Sequence, residues 1–376
     1  MTTSVRIDLH ILQTVPPANL NRDDQGNPKE AIYGGVRRSR VSSQAWKRAT
    51  RKQFAETVPA HDLGTRTRRV AAELAKRLKD RGVGAEQAAR LGAALLEPFG
   101  IKPGKKASET AYLLFVGNGQ LDAIVDLVAG RVDELAELDD AALGEQMKAL
   151  PIAEQFRQNH PLDVALFGRM VADIPALNVD AAVQVAHALS THAAEAEFDY
   201  FTAVDDTNEK DDPGAGMIGT IGFNSATLYR YATIGLDQLR HNLGEADAVL
   251  DAVDAFVNAF ARSMPTGHEN SFAHRTLPSL VAVVVREDQP VNLVSAFEKP
   301  ISTIQGGIAE RSARALAAEQ QRSVELWGDE PAHAAFVHAF GTDSDTESEL
   351  SKAFGSSVTF TALRQDLREQ LQGYLA

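Results

Sequence analysis

The segment Val5-Arg-Ile-Asp-Leu-His-Ile11 decides the fold, because it predicts the first strand. Apolar and polar residues alternate along it, which is typical of a β-strand that buries one face. Residues 16–28 are rich in proline, asparagine and glycine, so an extended loop is predicted to follow. Ser42 or Ser43 can cap a helix that we expect to run to about Thr57.

A change in composition at about residue 60 predicts a helical insertion. Between 60 and 160, apolar residues recur at helical spacing in an alanine-rich background, and no convincing strand interrupts them. Strand-like sequence returns at Asp163–Met170, and Asp180 can cap a further helix. The polar, glycine-rich residues 205–219 lie between two segments rich in strand formers and predict a long hairpin.

The C-terminal part of the chain completes the pattern. We predict a helix with an apolar stripe from Val249 to Phe260, a buried strand at Leu280–Val285, helices at 308–327 and 359–375, and an acidic linker at Asp343–Glu349. Without the insertions, the order is strand, helix, strand, strand, helix, strand, which is the split βαβ or ferredoxin-like arrangement. The predicted fold class is therefore α+β with a ferredoxin-like (RRM-like) core. Because this fold also serves many enzymes, it does not define a function.

The composition excludes several classes of protein. The 376 residues include no cysteine, which excludes disulfides, thiolate metal sites and cysteine nucleophiles and favours the cytoplasm. The longest apolar run, Leu280–Val285, is far shorter than the ~18 residues that a membrane-spanning helix needs. The N-terminal residues lack the apolar core of a signal peptide. We therefore expect a cytoplasmic protein without a membrane partner.

The charges are distributed unevenly along the chain. The net charge is −13, yet the 24 residues from Lys29 to Lys52 carry +7, because they include eight basic residues and a single acidic one, Glu30. This separation predicts one basic track on an otherwise acidic protein. The basic residues of this run are Lys29, Arg37, Arg38, Arg40, Lys47, Arg48, Arg51 and Lys52.

The basic run has the mixture of groups that recognition of a nucleic-acid backbone requires. Cations suit phosphates, the nearby Ser42, Ser43 and Gln44 suit sugars, and the amides at a helix N-terminus suit a phosphate oxygen. A solvated helix face, the alternative, usually mixes both signs of charge. We therefore favour nucleic-acid binding for this segment.

Motifs of metal or nucleotide chemistry are absent from the sequence. It contains no HExxH, no GxxxxGK[ST] and no strand-anchored GxGxxG. The pairs His187/His192 and His333/His338 are five residues apart, so their members would lie on divergent sides of a helix, and we interpret them as structural. We predict no catalytic residue, no metal site and no cofactor.

The acidic pairs in polar loops leave one catalytic alternative open. Asp23-Asp24 and Asp205-Asp206 could hold Mg²⁺ for phosphodiester cleavage. Capping, or pairing with Arg22, is the interpretation we prefer, because a two-metal site needs more carboxylates than one pair supplies.

Several segments carry a resemblance to a known family. They are Asn21-Arg-Asp-Asp24, Ala31-Ile-Tyr-Gly-Gly-Val-Arg-Arg38, Arg40-Val-Ser-Ser-Gln44, Lys47-Arg48, Leu166-Phe-Gly-Arg-Met170, His187-Ala-Leu-Ser-Thr-His192, Asp199-Tyr-Phe-Thr-Ala-Val-Asp-Asp206, Tyr229-Arg-Tyr-Ala232 and Ala296-Phe-Glu-Lys299. In this order they resemble the CasC family, the repeated backbone subunit of Cascade, the type I-E CRISPR surveillance complex. The resemblance covers most of the chain and is loose at 70–160 and in the C-terminal tail.

The resemblance implies a hand-shaped protein. Its ferredoxin-like palm would comprise 1–59, 181–193 and 225–376, its helical fingers 60–180, and its β-hairpin-like thumb 194–224. Copies of such a protein stack head to tail into a helical filament along the spacer of the CRISPR RNA.

The resemblance also implies roles for individual residues. Lys29, Ser42, Gln44, Lys47 and Arg51 match family positions that grip the RNA sugar-phosphate backbone, Arg22 lies in the matching loop, and Arg37 and Arg38 belong to the same basic run. Met170 matches an apolar residue that wedges against a displaced base, and Tyr200 and Phe201 begin the thumb that crosses the RNA. Acidic residues 205–212 are expected to keep this thumb soluble and in register, although a merely solvated loop is an equal alternative.

The implied function is that of a non-catalytic scaffold. Its partners would be CRISPR RNA, target DNA through guide pairing, other copies of itself and other Cascade subunits. The protein would read shape while base pairing reads sequence, as in other RNA-guided effectors. A metal-dependent endoribonuclease that uses Asp23 and Asp24 is the alternative, because related CRISPR proteins cleave RNA with an aspartate in this loop. A general single-strand binder outside CRISPR is a third hypothesis.

Overall fold

The computed structural model describes residues 4–100, 109–172, 174–204, 215–304, 307–341 and 344–376. The chain divides into two compact units. The first consists of Met1–Gln53, Val183–Leu236 and Val253–Ala376, and the second of Phe54–Ala182 and Asp237–Ala252. The expected acidic tip of the thumb, 205–212, lies outside the described residues.

Strands and helices alternate irregularly along the described residues. The strands are β1 (Arg6–Ala18), β2 (Glu30–Tyr33), β3 (Val36–Val41), β4 (Gly64–Thr67), β5 (Leu114–Gly117), β6 (Val183–Val185), β7 (Ala188–Ser190), β8 (Glu197–Val204), β9 (Ala215–Gly235), β10 (Leu280–Arg286), β11 (His333–His338) and β12 (Ser356–Ser357). The α-helices are α1 (Ser43–Phe54), α2 (Val70–Asp80), α3 (Ala85–Ala94), α4 (Asn118–Ala129), α5 (Val132–Ala136), α6 (Asp140–Ala149), α7 (Ile152–Arg157), α8 (Leu162–Phe167), α9 (Leu236–Leu243), α10 (Ala246–Arg262), α11 (Glu269–Phe272), α12 (Ile308–Trp327), α13 (Asp345–Phe354) and α14 (Phe360–Leu375).

Strand β1 lies in the middle of the sheet of the first unit. It pairs antiparallel with β10 on one side and with β9 on the other. The register with β9 shifts between Val15 and Ala18, where Pro16 and Pro17 have no N–H to donate to the ladder. The order is β12-β11-β10-β1-β9-β7-β3-β2, with β6 and β8 also paired to β9. Among the strands that the structure describes, only β11 and β12 run parallel. The chain is a mixed α/β protein with one large mixed sheet.

The polar face of β1 is buried, which differs from the sequence expectation of one exposed face. Asp8 Oδ2 accepts a hydrogen bond from Arg286 Nε at 3.0 Å, and Tyr231 donates its hydroxyl to Asp8 Oδ1 at 2.9 Å. His10 Nδ1 lies 2.9 Å from the hydroxyl of Tyr229, and burial lowers the pKa of His10 to about 3. Asp8 and His10 thus each have at least one hydrogen-bond partner in the core, although His10 Nε2 has none among the described residues.

The second unit is built around a helical core, as the periodicity predicts. Val70, Leu74 and Leu78 of α2 are buried, as are the apolar residues on one stripe of α4. The expectation that no strand interrupts this region is wrong, because β4 and β5 form a two-stranded antiparallel sheet within it. These strands have only four residues each, too few to show a period.

Three other local predictions are wrong. Asp163–Met170 is largely the helix α8 rather than a strand; Val164–Phe167 are all buried, and so short an apolar run has no diagnostic period. The segment after Asp180 forms β6 and β7 rather than a helix, because both pair with β9. The acidic linker contains the start of α13.

The remaining predictions of the C-terminal half are confirmed. Helices α10, α12 and α14 and the buried strand β10 lie where their apolar patterns place them. Within the described residues, no helix combines the length and the apolar character needed to cross a bilayer.

The buried ion pair between Asp8 and Arg286 makes a testable prediction for stability. Both side chains are at most 1% exposed, so Asp8→Ala leaves a buried guanidinium without this partner. We expect the free energy of unfolding to fall by about 3–5 kcal/mol. Urea denaturation measures the change. The exposed pair Lys148–Glu145 supplies the control: Lys148→Ala should change stability by less than about 0.5 kcal/mol.

Candidate nucleic-acid interface

A buried arginine sets the rotation of helix α1. The guanidinium carbon of Arg230 on β9 lies 3.7 Å from the ring centroid of Trp46 and 4.6 Å from that of Phe260. Arg230 donates to Gln13 Oε1 at 2.6 Å and to the carbonyl of Phe260, and burial lowers its pKa to about 9. Because Trp46 is held inward, the opposite side of α1, which includes Gln44, faces solvent.

Ser42 caps α1, which resolves the choice between Ser42 and Ser43. Its Oγ accepts a hydrogen bond from the amide of Ala45 at 3.3 Å, and its own amide donates to Asn21 Oδ1 at 2.9 Å. The amides of Ser43 and Gln44 have no partner among the described residues. These two N–H groups can therefore receive an anion at the positive end of the helix dipole.

The loop after β1 is closed by Asp23. Its Oδ1 accepts hydrogen bonds from the amides of Gln25 and Asn27, both at 2.9 Å. The capping interpretation of Asp23 is thus confirmed, whereas pairing with Arg22 is not seen: Arg22 Nη1 lies 3.1 Å from His268 Nε2. Burial lowers the pKa of His268, and the charge of Arg22 lowers it further. Within the described residues, no three His, Asp or Glu side chains converge as metal ligands.

These elements enclose a groove of about 660 Å³ within the first unit. One wall is α1, the second is the loop after β1, and the third is Met264–Gly267. Gly267 packs so closely that a Cβ there would meet the backbone oxygens of Asn19 and Leu20. The lining residues are Leu20, Asn21, Arg22, Asp23, Asp24, Gly26, Ser42, Gln44, Ala45, Arg48, Ala49, Lys52, Met264, Pro265, Thr266 and Gly267.

The groove contains Arg22, Ser42 and Gln44, to which the resemblance or its matching loop gives a role. It also contains Arg48 and Lys52, two cations of the predicted basic run to which the resemblance gives no individual role. Both cations are exposed and form no ion pair among the described residues. Their spacing from Gln44 is four and eight residues, so the three side chains share one stripe of α1. The sequence alone could have predicted from this spacing that Arg48 and Lys52 lie on the same side of the helix as Gln44.

Lys47 and Arg51 lie on the other flank of the exposed side of α1 and do not line the groove. Both are half-buried and engaged in further contacts. Successive helical residues are 100° apart, so Lys47 and Arg48 diverge although they are neighbours. The contact of Lys47 and Arg51 with RNA stays a prediction.

Lys29 lies in a second depression of the first unit, of about 400 Å³, together with Arg40 and the exposed Phe198 of β8. Arg40 Nη1 is 3.3 Å from Nδ1 of His187. Burial lowers the pKa of His187, and the charges of Arg40 and Lys29 lower it further. Two cations and an aromatic ring therefore meet in one recess, which the acidic Asp23 and Glu30 also line.

The aromatic residues of the predicted thumb lie on the ribbon formed by β8 and β9. Tyr200 is 62% exposed and Phe201 is 42% exposed. Phe201 pairs with Gly219 of β9 and covers it. Phe198, on the same side as Tyr200 because strand side chains alternate, was missed by the sequence reasoning.

Arg37 and Arg38 point in opposite directions because they are neighbours on β3. Arg37 is exposed and pairs with Glu30 at 2.8 Å. The expectation that the whole basic run lies on the surface is wrong for Arg38, whose buried guanidinium donates to the carbonyls of Tyr33, Ser190, Phe297 and Glu298.

Met170 belongs to the second unit and is 84% exposed. The preceding residue, Arg169, is buried and donates to the carbonyls of Leu177, Phe115 and Phe156. Burial lowers the pKa of Arg169 to about 10. The arginine thus fixes the backbone next to an apolar side chain that is left in solvent.

The family described as CT1975-like protein matches residues 7–365, and the chain belongs to that family. A chain of a solved "CRISPR RNA-guided surveillance complex, pre-nicking" is 32% identical, with a TM-score of 0.83 and coverage of 97% of this chain and 99% of that chain. A chain of a second "CRISPR RNA-guided surveillance complex" is 29% identical, with a TM-score of 0.74 and the same coverage. No curated protein has a significantly similar sequence.

The cap of α1 can be tested apart from ligand binding. Ser42→Ala removes the hydroxyl that accepts the Ala45 amide, so we expect the free energy of unfolding to fall by about 1 kcal/mol. Ser43→Ala is the matched control and should leave stability nearly unchanged. Equal losses in the two variants, measured by thermal and urea unfolding, would contradict the assignment of the cap.

Proposed function

We propose that this protein is a non-catalytic CRISPR RNA-binding backbone subunit of a surveillance complex of type I-E. It grips the sugar-phosphate backbone of the guide and presents the bases for pairing with target DNA in antiviral defence. The single observation that carries the proposal is the groove in which Arg22, Arg48 and Lys52 lie beside the open N-terminus of α1. Similarity over nearly the whole chain to subunits of CRISPR RNA-guided surveillance complexes supports it.

The groove is chemically suited to a backbone rather than to particular bases. Exposed guanidinium and ammonium groups pair with phosphates, which every nucleotide carries. The amides of Ser43 and Gln44 add two donors that can hold a phosphate oxygen. A guide has a different spacer in each complex, so contacts that ignore sequence are what such a subunit needs.

The proposed architecture is a palm (1–59, 181–193 and 225–376), fingers (60–180) and a thumb (194–224). Support for a ferredoxin-like palm comes from the partial strand order β10-β1-β9-β7, with α1 after β1 and α10 after β9. The exposed Tyr200 and Phe201 are suited to interrupt base stacking, and the exposed Met170 is suited to wedge against a displaced base.

The proposed partners follow from the same function. They are the CRISPR RNA, target DNA through guide pairing, further copies of the chain stacked head to tail, and the other subunits of the complex. A heterologous contact repeated with a helical rise gives a filament rather than a ring. We propose a cytoplasmic location, in keeping with a chain of 376 residues that contains no cysteine.

Salt-dependent binding tests the groove directly. We expect Arg48→Ala and Lys52→Ala each to weaken binding of single-stranded RNA roughly fivefold, because an exposed charge contact contributes about 1 kcal/mol. The slope of log K against log salt should flatten by about 0.7 for each lost contact. The loss should be equal for unrelated spacer sequences.

The matched control is Lys352→Ala, which removes the same charge from the exposed side of α13. It should change neither the affinity nor the slope. Lys47→Ala tests whether the other flank of α1 also contacts RNA. If this variant loses as much RNA affinity as Arg48→Ala, the interface extends around the helix. Losses that differ between spacer sequences would argue against recognition of the backbone.

The endoribonuclease alternative has a test of its own. The carboxylate of Asp23 is engaged with the amides of its own loop, which disfavours it as a metal ligand. We therefore expect no specific scission of guide-complementary RNA when the RNA-loaded protein is incubated with Mg²⁺. Scission that disappears in Asp24→Ala would establish the enzyme instead.

A further inference from the structure

The groove contains a carboxylate, Asp24, that phosphate binding does not account for. Asp24 is exposed and lines the same groove as Arg22, Arg48 and Lys52. Within the described ranges it accepts no hydrogen bond and forms no ion pair. A carboxylate repels a phosphate at short range, so this position weakens binding unless the ligand offers Asp24 a hydrogen-bond donor.

The residues next to Asp24 do not neutralise it. Asp23 holds the turn through the amides of Gln25 and Asn27. Arg22 directs Nη1 to His268 Nε2 at 3.1 Å. The turn that Asp23 closes therefore presents a second, unengaged carboxylate to the groove.

Few donors on a single strand can satisfy this carboxylate. Phosphates are acceptors only, and the amino groups of bases occur in some nucleotides and not in others. The ribose 2′-hydroxyl is a donor that every ribonucleotide carries and that DNA lacks. Arg48 and Lys52, by contrast, are suited to phosphates, which RNA and DNA share.

We propose that Asp24 accepts a hydrogen bond from a ribose 2′-hydroxyl and is the residue that makes this groove prefer RNA to single-stranded DNA. The inference rests on the proposed function and refines it. The cations supply affinity for either strand. The charge of the carboxylate lowers the affinity for both RNA and DNA. The hydrogen bond from the 2′-hydroxyl offsets this loss, and only RNA can donate it.

The test compares three probes of one sequence: single-stranded RNA, single-stranded DNA, and 2′-fluoro RNA, which keeps the ribose-like pucker and lacks the donor. Kd is measured for the full chain and for Asp24→Ala. We expect the unmodified protein to bind RNA about tenfold more tightly than either other probe, as for a hydrogen bond to a charged group. In Asp24→Ala the three Kd values should converge, with DNA bound more tightly than before.

Two further variants sharpen the result. Asp24→Asn keeps an acceptor without the charge, so its RNA preference should be intermediate. Glu325→Ala removes the same charge from an exposed position on α12 and should leave all three Kd values unchanged. If Glu325→Ala reduces the preference as much as Asp24→Ala, the inference is wrong.

Different experimental results would overturn this inference and the proposed function. An RNA preference that persists in Asp24→Ala, with RNA binding intact, overturns the inference alone. An RNA affinity that is negligible, or unaffected by Arg48→Ala and Lys52→Ala, overturns the proposed function and this inference with it. Magnesium-dependent scission lost in Asp24→Ala would make Asp24 catalytic and also overturn the inference.

Discussion

The groove depends on one buried contact, the stacking of Arg230 against Trp46. A guanidinium inside a protein is costly unless its donors have partners. Two nitrogens of Arg230 donate to Gln13 and to the carbonyl of Phe260, while its Nε has no hydrogen-bond partner among the described residues. The contact links the central strands of the sheet to α1 and fixes which side of that helix is turned outward. The positions of Arg48 and Lys52 in the groove follow from this rotation.

Arginine has two distinct uses in this protein. Arg38, Arg169 and Arg286 are buried, and their guanidinium groups hold backbone carbonyls or carboxylates in place. Arg48, in contrast, is exposed and available to a ligand. The five donors of a guanidinium allow one side chain to bridge several carbonyls, which a lysine could not do in the same geometry. A count of charges therefore overstates the positive surface of the basic run.

The two neighbouring aspartates of the loop after β1 likewise differ, since one makes structural contacts and the other is exposed. Asp23 is committed to the loop, because two amides donate to its Oδ1. Asp24, one residue further, is exposed in the groove. The first carboxylate therefore shapes the wall of the groove, and the second leaves its charge on the surface of the groove. In a metal site both carboxylates would face one ion, whereas Asp23 here accepts the amides of its own loop.

The sequence by itself determined the features that depend on neighbouring residues along the chain. The alternation around Ile7 predicted β1, the serines before α1 predicted its cap, and the apolar stripes predicted α10, α12 and α14. Only the tertiary structure decided that the polar face of β1 is buried, that β6 and β7 are strands, and that Arg38 is internal while Lys52 lines the groove. The physical reason is that these outcomes depend on pairing with β9 and on partners far away in sequence, such as Arg286 for Asp8, which local periodicity does not encode.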